Sequence, residues 1–319
     1  MQSRMSVFVI CAACVAAPAL AQTYPAKPVR IIVGATPGGG TDFVTRLIGG
    51  KLGEALGQQI IVDNRPGAGS VIGFELGVKA APDGYTLTMI SPSYSVNPAL
   101  YPIKYDALTD YTPIVWVARG PFILVVHPSL PVRNPRDLIA LAKARPGQII
   151  YASSGQGGIV HLAAELFLYM AEAKMTHVPY RGGGPAITDL IAGQVQLLFS
   201  TSQVGMPHVK SGRLRALGVT TAERMPAEPA FPTIAEAGLP GYDVPNWHGL
   251  IGPRGLPRAI VERLNTEMNN ILRLKEMEER LQSEGVTPAG GTPERLHEQV
   301  RKELQQWRQV VQRAGIKLQ

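Results

Sequence analysis

A chain of 319 residues, 45% hydrophobic and 17% charged, can bury a sizeable core and has the length of about two domains of ordinary size. Its net charge of +7 is dispersed: Lys143, Arg145, Lys210, Arg213 and Arg215 form no stripe interleaved with aromatics, which argues against nucleic acid as a partner. Both cysteines, Cys11 and Cys14, fall within the first 21 residues, so the rest of the chain can form no disulfide, thiol nucleophile or cysteine metal site.

Arg4, an apolar run over 7–15 and Ala19-Leu-Ala21 make a charged start, a short hydrophobic region and an A-x-A cleavage site. Residues 1–21 therefore read as a signal peptide cut after Ala21, too short to span a bilayer, and the protein is expected in the periplasm. Lipid attachment at Cys14 is the weaker alternative, because Cys11-Ala-Ala-Cys14 lacks a leucine-type lead residue.

Val29-Arg-Ile-Ile-Val33 is β-branched and reads as a buried strand. Phe43, Val44, Leu47, Ile48, Leu52, Ala55 and Leu56 recur at helical spacing and form one face of a helix. Between them lies Thr36-Pro-Gly-Gly-Gly-Thr-Asp42. Its glycines permit a tight strand-to-helix turn with bare amides, with Thr41 or Asp42 as the helix cap. Bare amides at the positive end of a helix attract an anion, although an ordinary α/β turn has the same look. The logic repeats in strand 58–62, the turn Asp63-Asn-Arg-Pro-Gly-Ala-Gly-Ser70 and a helix ending near residue 80. Strand 85–90 then runs into a polar loop, Ser91-Pro-Ser-Tyr-Ser-Val-Asn97. All three turns fall at strand C-termini, where open α/β sheets bind ligands.

Two β-rich runs, 114–117 and 122–126, are split by Ala118-Arg-Gly-Pro121, the first crossing into a second domain. There Asn134-Pro135 starts a helix that ends at Pro146-Gly147. Strand 149–152 leads through Ser153-Ser-Gly-Gln-Gly-Gly158 into a helix carrying Leu162, Leu166 and Met170. Strand 175–179 leads through Tyr180-Arg-Gly-Gly-Gly184 into helix 185–192. Strand 195–199 leads through Ser200-Thr-Ser202 into a short helix, and strand 214–219 follows. After the Pro-rich stretch 224–245, strand 247–252 returns to the first domain, and helices 256–273, 275–284 and 292–314 close the chain. The expectation is two α/β lobes with a hinged cleft: a discontinuous first domain, 22–120 plus 246–319, and a second, 121–245.

No catalytic machinery emerges. Ser153-Ser-Gly-Gln-Gly157 is not a nucleophile elbow, and no Lys-Ser/Thr follows 34–40 to make a phosphate-binding loop. His161 and Glu165 lie four apart on a helix but lack a third metal ligand. No cofactor, metal or enzymatic activity is expected. Arg181 is the sharpest cationic candidate for a carboxylate, though an arginine beside a Gly-rich turn is more often simply solvated. The hydroxyls of Ser153, Ser154, Ser200, Thr201 and Ser202 could be helix caps, which would still leave amides for a carboxylate. Asp42 reads as structural, since a carboxylate beside an anionic ligand repels it.

The sequence resembles the extracytoplasmic solute receptors of tripartite tricarboxylate transporters, the Bug family. The matching pieces are Tyr24-Pro-x-Lys-Pro-Val-Arg30, Pro37-Gly-Gly39-x-x-Asp42, Asn64-Arg-Pro-Gly-Ala-Gly69, Ala81-Pro-Asp-Gly-Tyr85, Tyr151-Ala-Ser153, His177-Val-Pro-Tyr180, Gly193-Gln194 and Ala235-Glu-Ala-Gly-Leu-Pro-Gly-Tyr242. The resemblance implies a two-lobe periplasmic binding protein of the type II, Venus flytrap kind, a monomer that delivers a small carboxylate (a dicarboxylate, tricarboxylate or aromatic acid) to membrane subunits. It points to Pro37, Gly38, Gly39 and Asp42, with Ser91, Ser93 and Asn97, on one lobe, where Thr36 and Gly40 of the same anion-binding turn complete the candidates. On the other it points to Ser153, Ser154, Gly155, Tyr180, Ser200, Thr201 and Ser202, with Arg181 beside them. One departure stands out: Gly34-Ala35 replaces the family's common proline and aromatic, which implies a wider pocket at that turn. A sensory protein feeding a membrane kinase, and an enzyme on the same fold, are the competing readings.

Overall fold

The computed structural model describes residues 24–316; the expected signal segment, with Cys14 and the cleavage point after Ala21, lies outside them. The first series of elements is β1 (Val29–Val33), α1 (Gly40–Leu56), β2 (Ile60–Asn64), a 3-10 turn (Ala68–Ser70), α2 (Val71–Val78), β3 (Thr86–Ile90) and α3 (Ser93–Leu100). The second is β4 (Tyr111–Val126), α4 (Pro135–Ala144), β5 (Ile150–Ser153), α5 (Ile159–Ala171), β6 (Thr176–Pro179), α6 (Gly183–Ile191), β7 (Leu197–Thr201), α7 (Ser202–Lys210) and β8 (Arg215–Val219). The chain returns through β9 (Pro245–Pro253), α8 (Arg258–Leu272), α9 (Lys275–Ser283), the two-residue β10 (Thr287–Pro288) and α10 (Pro293–Ala314).

The strands lie in the order β2-β1-β3-β9-β4-β7-β5-β6, with β8 and β10 also on β4. β1 is parallel to β2 and β3, and β5 is parallel to β6 and β7, so each half is a small wound α/β sheet. β4 belongs to both. Its Tyr111–Pro121 stretch pairs with β9, and its Phe122–Val126 stretch pairs with β7 and β8. The split expected near Ala118-Arg-Gly-Pro121 is therefore a change of partner within one 16-residue strand. Pro121, which has no N–H for a ladder, stands opposite Pro245 at that handover, where a proline costs least.

The polar loop expected at 91–97 is helix α3. Pro92 is its N-cap, where no amide is needed, and only Pro98 interrupts the helix. Packing overrides propensity there: Tyr94 is fully buried and its ring meets those of Phe74, Tyr105 and Tyr111 at 5.3–5.7 Å.

In the first half, Val29, Ile31 and Val33 pack against Val44, Ile48 and Leu52 of α1 and against α8 and α9. Each such buried side chain stabilises by roughly 1.5–3 kcal/mol. The second half has its own cores around Phe122, Leu124, Leu162 and Phe199, and around Ile123, Ile187 and Leu198. Helix α10 straddles both: Leu296 and Val300 pack beside Trp247 and Tyr94, whereas Trp307 packs into the core of the second half.

Candidate functional site

Turns from both halves line one cavity of about 730 Å³, within the range of small-ligand pockets. Six strand C-termini feed it. The turns after β1, β2 and β3 supply residues 34–36, 39–41 and 66–70 with Ser91 and Ser93, and those after β5, β6 and β7 supply residues 154–156, 158–160 and 180–183 with Thr201 and Val204. Each turn opens a helix. The N-caps of α1, α5, α6 and α7 are Gly39, Gly158, Gly182 and Thr201, and none makes a side-chain cap hydrogen bond. The first amides of these helices are thus left without intrahelical partners at their positive ends, which favours an anion. One is already met, since the Ile159 amide donates to Ser93 Oγ at 3.1 Å. Arg181 is exposed and is the one charged side chain on the wall among the described residues.

Of the residues singled out from sequence, Thr36, Gly39, Gly40, Ser91, Ser93, Ser154, Gly155, Tyr180, Arg181, Ser200 and Thr201 stand on this wall. Pro37 and Gly38 are solvent-exposed at its rim. Asp42, Asn97, Ser153 and Ser202 sit behind it, each for a visible reason. The buried Asp42 carboxylate turns back to accept from the Gly38 amide at 2.9 Å, from Arg46 Nε at 3.0 Å and from Asn64 Nδ2 at 2.9 Å. Burial raises this carboxyl, and the bonds from Arg46, Gly38 and Asn64 outweigh that and hold it below the usual range. Neither Thr41 nor Asp42 caps α1, because Gly39 occupies the cap position, and Asp42 braces the turn instead. Asn97 donates to Gly69 O at 3.2 Å and braces the second turn.

Ser153 Oγ lies 2.7 Å from His177 Nε2. The His177 ring stacks on those of both Tyr151 and His161, with centroids at 4.8 and 4.1 Å. Burial, aided at His161 by His177, lowers these imidazoles to about 3 at His161 and about 4 at His177. Neutral His161 accepts the Gly157 amide on Nδ1 at 3.2 Å and so fixes the 154–158 turn from behind. Its partner four residues on, Glu165, takes the Tyr151 hydroxyl rather than a metal. Ser202 Oγ faces Met225 Sδ at 3.7 Å. Tyr180 stands on the wall, but its hydroxyl donates to Asp189 at 2.7 Å; burial and then that carboxylate push it up to about 12.

The wall also holds residues outside the sequence-derived set: Tyr101, Gln156, Asn246 and the turn Pro66–Ser70. The turn was visible as Gly67-Ala-Gly69, a pattern that helix packing explains equally well. Ala68 and Ser70 are held at φ 47 and φ 82, a left-handed backbone that non-glycine residues adopt at a cost. Gly34 answers for part of this: a Cβ there would come within 2.7 Å of Ser70 Cβ. Ser70 thus occupies the space beside Gly34, and Gly34, half-buried Ala35 and Ser70 all line the cavity.

The two halves are closed on each other. Tyr101 OH donates to Gln156 O at 2.6 Å, and Ser93 takes the Ile159 amide, both across the gap. A Cβ on Gly182 would fall 2.2 Å from Thr36 Oγ1, and one on Gly40 would fall 2.9 Å from Thr201 Cβ.

Two wound sheets joined by crossing strands, with helix N-termini converging between them, define a periplasmic binding protein. The chain belongs to the tripartite tricarboxylate transporter receptor family, whose model matches residues 44–316. It is 38% identical over 312 residues to Protein BugT of Bordetella pertussis, covering 97% of this chain and 96% of that one. Among solved structures it is similar to R. palustris Rpa4515 with adipate (TM-score 0.89, 38% identity, 92% of this chain and 99% of that one). MatC (Rpa3494) from Rhodopseudomonas palustris with bound malate gives a TM-score of 0.86 at 30% identity, over 90% of this chain and 100% of that one.

Proposed function

We propose that this chain is an extracytoplasmic receptor that captures a small carboxylate between two lobes, 22–120 plus 246–319 and 121–245, and presents it to the membrane subunits of a tripartite tricarboxylate-type transporter. It acts as a monomer in the periplasm, with the signal segment removed after Ala21, and does no chemistry on its ligand. One observation carries the reading: strand-to-helix turns from both halves present their amides to one cavity that has a single cation and no acidic side chain on its wall, among the described residues. An anion held this way draws the two halves together, because each lobe supplies part of its solvation shell. The relatives solved with adipate and with malate support a dicarboxylate among the possible acids.

A thermal-shift screen of mono-, di- and tricarboxylates and aromatic acids tests this. A ligand at 100 times its Kd stabilises by about 2.7 kcal/mol, a rise of several degrees in Tm for a chain of this size. A panel in which no acid raises Tm removes the carboxylate reading.

A further inference from the structure

The floor of the cleft is where β4 and β9 run side by side from one half to the other. In their register Gly120 faces Asn246, with Pro121 opposite Pro245 on one side and Arg119 opposite Trp247 on the other. Neighbouring side chains on a strand point to opposite faces. Trp247 takes the α10 face, where its indole N–H donates to Glu303 Oε1 at 2.7 Å. Asn246 takes the opposite face and forms part of the cavity wall. It is 2% exposed, and its Nδ2 meets no acceptor among the described residues.

A carboxamide nitrogen can only donate, and a buried donor left unpaired is unfavourable. The residues on either side are apolar (Val244, Pro245 and Trp247), and an apolar residue would fill this position without that cost. A second orphan lies nearby in register: Thr201 pairs with Phe122, two residues along β4 from Gly120, and its buried Oγ1 is also unpartnered and on the wall. Two buried polar groups of the cleft floor thus meet no partner among the described residues: the Asn246 amide nitrogen, which can only donate, and the Thr201 hydroxyl, which can donate or accept.

We propose that Asn246 is the specificity donor of this cleft. Its amide hydrogens take an oxygen on the end of the ligand away from the helix N-termini, so that among acids of one skeleton the receptor selects those carrying a second carboxylate. This deepens the carboxylate-receptor reading and rests on it.

The test is calorimetric titration of wild type, Asn246→Leu and Asn246→Asp with matched pairs: succinate with butyrate, adipate with hexanoate, terephthalate with benzoate. Wild type is expected to prefer the dicarboxylate of the pair it binds by roughly 5- to 150-fold, the equivalent of about 1–3 kcal/mol for an unpaired buried donor. In Asn246→Leu that ratio falls to near one. Asn246→Asp keeps the shape but loses both hydrogens, and it gives the same collapse should the leucine variant fail to fold. Side-chain amide NMR supplies a local readout, in which the Asn246 NH₂ signal moves with the dicarboxylate and not with its partner. A preserved ratio in a folded variant, or a wild type that binds both members equally, overturns the role of Asn246 and leaves the receptor standing. A wild type that binds no acid of the panel overturns both.

Discussion

Alanine at Gly40 separates closure from folding. Gly40 is the first residue of α1, in ordinary helical backbone, so alanine suits the helix at least as well as glycine. The added Cβ would lie 2.9 Å from Thr201 Cβ, Thr201 Cγ2 and Gln203 Oε1, all three on the opposing half. The clash therefore exists only when the halves are closed. Inserting a methyl into such a contact costs about 1–3 kcal/mol, which shifts the closed-to-open ratio roughly 5- to 150-fold. Apparent affinity is the intrinsic affinity scaled by the closed fraction. Calorimetry with the acid that stabilises the wild type most should thus show a Kd weaker by that factor, while unliganded Tm stays nearly constant. Small-angle scattering should find a smaller ligand-induced contraction. Gly50→Ala is the control on the same helix, since its Cβ meets nothing within 4 Å. A Gly40→Ala protein with wild-type affinity and contraction would show that the closed contact seen here is not the ligand-bound one.

Glu303 is fully buried, and burial pushes its carboxyl up to about 8 against the lowering bonds from Trp247 and Gln299. A folded-state pKa above the unfolded value of 4.5 means stability is lost as pH rises from about 4.5 to about 8. Glu303→Gln keeps an acceptor for Trp247 and removes the titration. Its stability advantage in urea melts should grow by about 1.4 kcal/mol per pH unit across that window, and parallel curves would refute the assignment. Asp42 has the opposite sign: its lowered carboxyl contributes stability above its unfolded value of 3.8 that is lost as pH falls below it. Asp42→Asn should cost on the order of 1–3 kcal/mol at neutral pH, and the difference should close on acidification; a constant difference would mean that the charge is idle. Arg181 is exposed and screened, so Arg181→Gln should weaken binding by no more than about fivefold, with the deficit vanishing at high salt. A hundredfold, salt-independent loss would make Arg181, rather than the helix N-termini, the principal anchor.

What the sequence made legible is local. Strand, glycine turn and helix follow one another within about twenty residues, and the periodicity of Val29 to Leu56 was enough to read β1, its turn and α1. The same short-range grammar marked the turns at 153–158, 180–184 and 200–202, and most of their residues reach the cavity wall. Three of the residues that do not reach it share a cause. Asp42, Asn97 and Ser153 are polar side chains whose partners, Asn64, Gly69 and His177, come from a neighbouring strand or turn, and no spacing rule reports that pairing. The α3 segment fails for a related reason: its prolines are local signals, whereas the burial of Tyr94 that outweighs them depends on Tyr105 and Tyr111 and on α10, some two hundred residues away.

Asn246 is the sharpest instance of this limit. In sequence it is one polar residue inside Val244-Pro-Asn-Trp247, indistinguishable from a strand-end asparagine facing water. It becomes a candidate only because β9 crosses between the halves beside β4, and because Trp247 is drawn to the opposite face by Glu303. The side chain that grips α10 and the side chain that faces the cavity are adjacent on one strand. A ligand oxygen taken by Asn246 would therefore load the same strand through which the two halves are joined. A carboxylate held only by the turns could be released by separating them, whereas one also held at the floor resists that separation at the hinge itself.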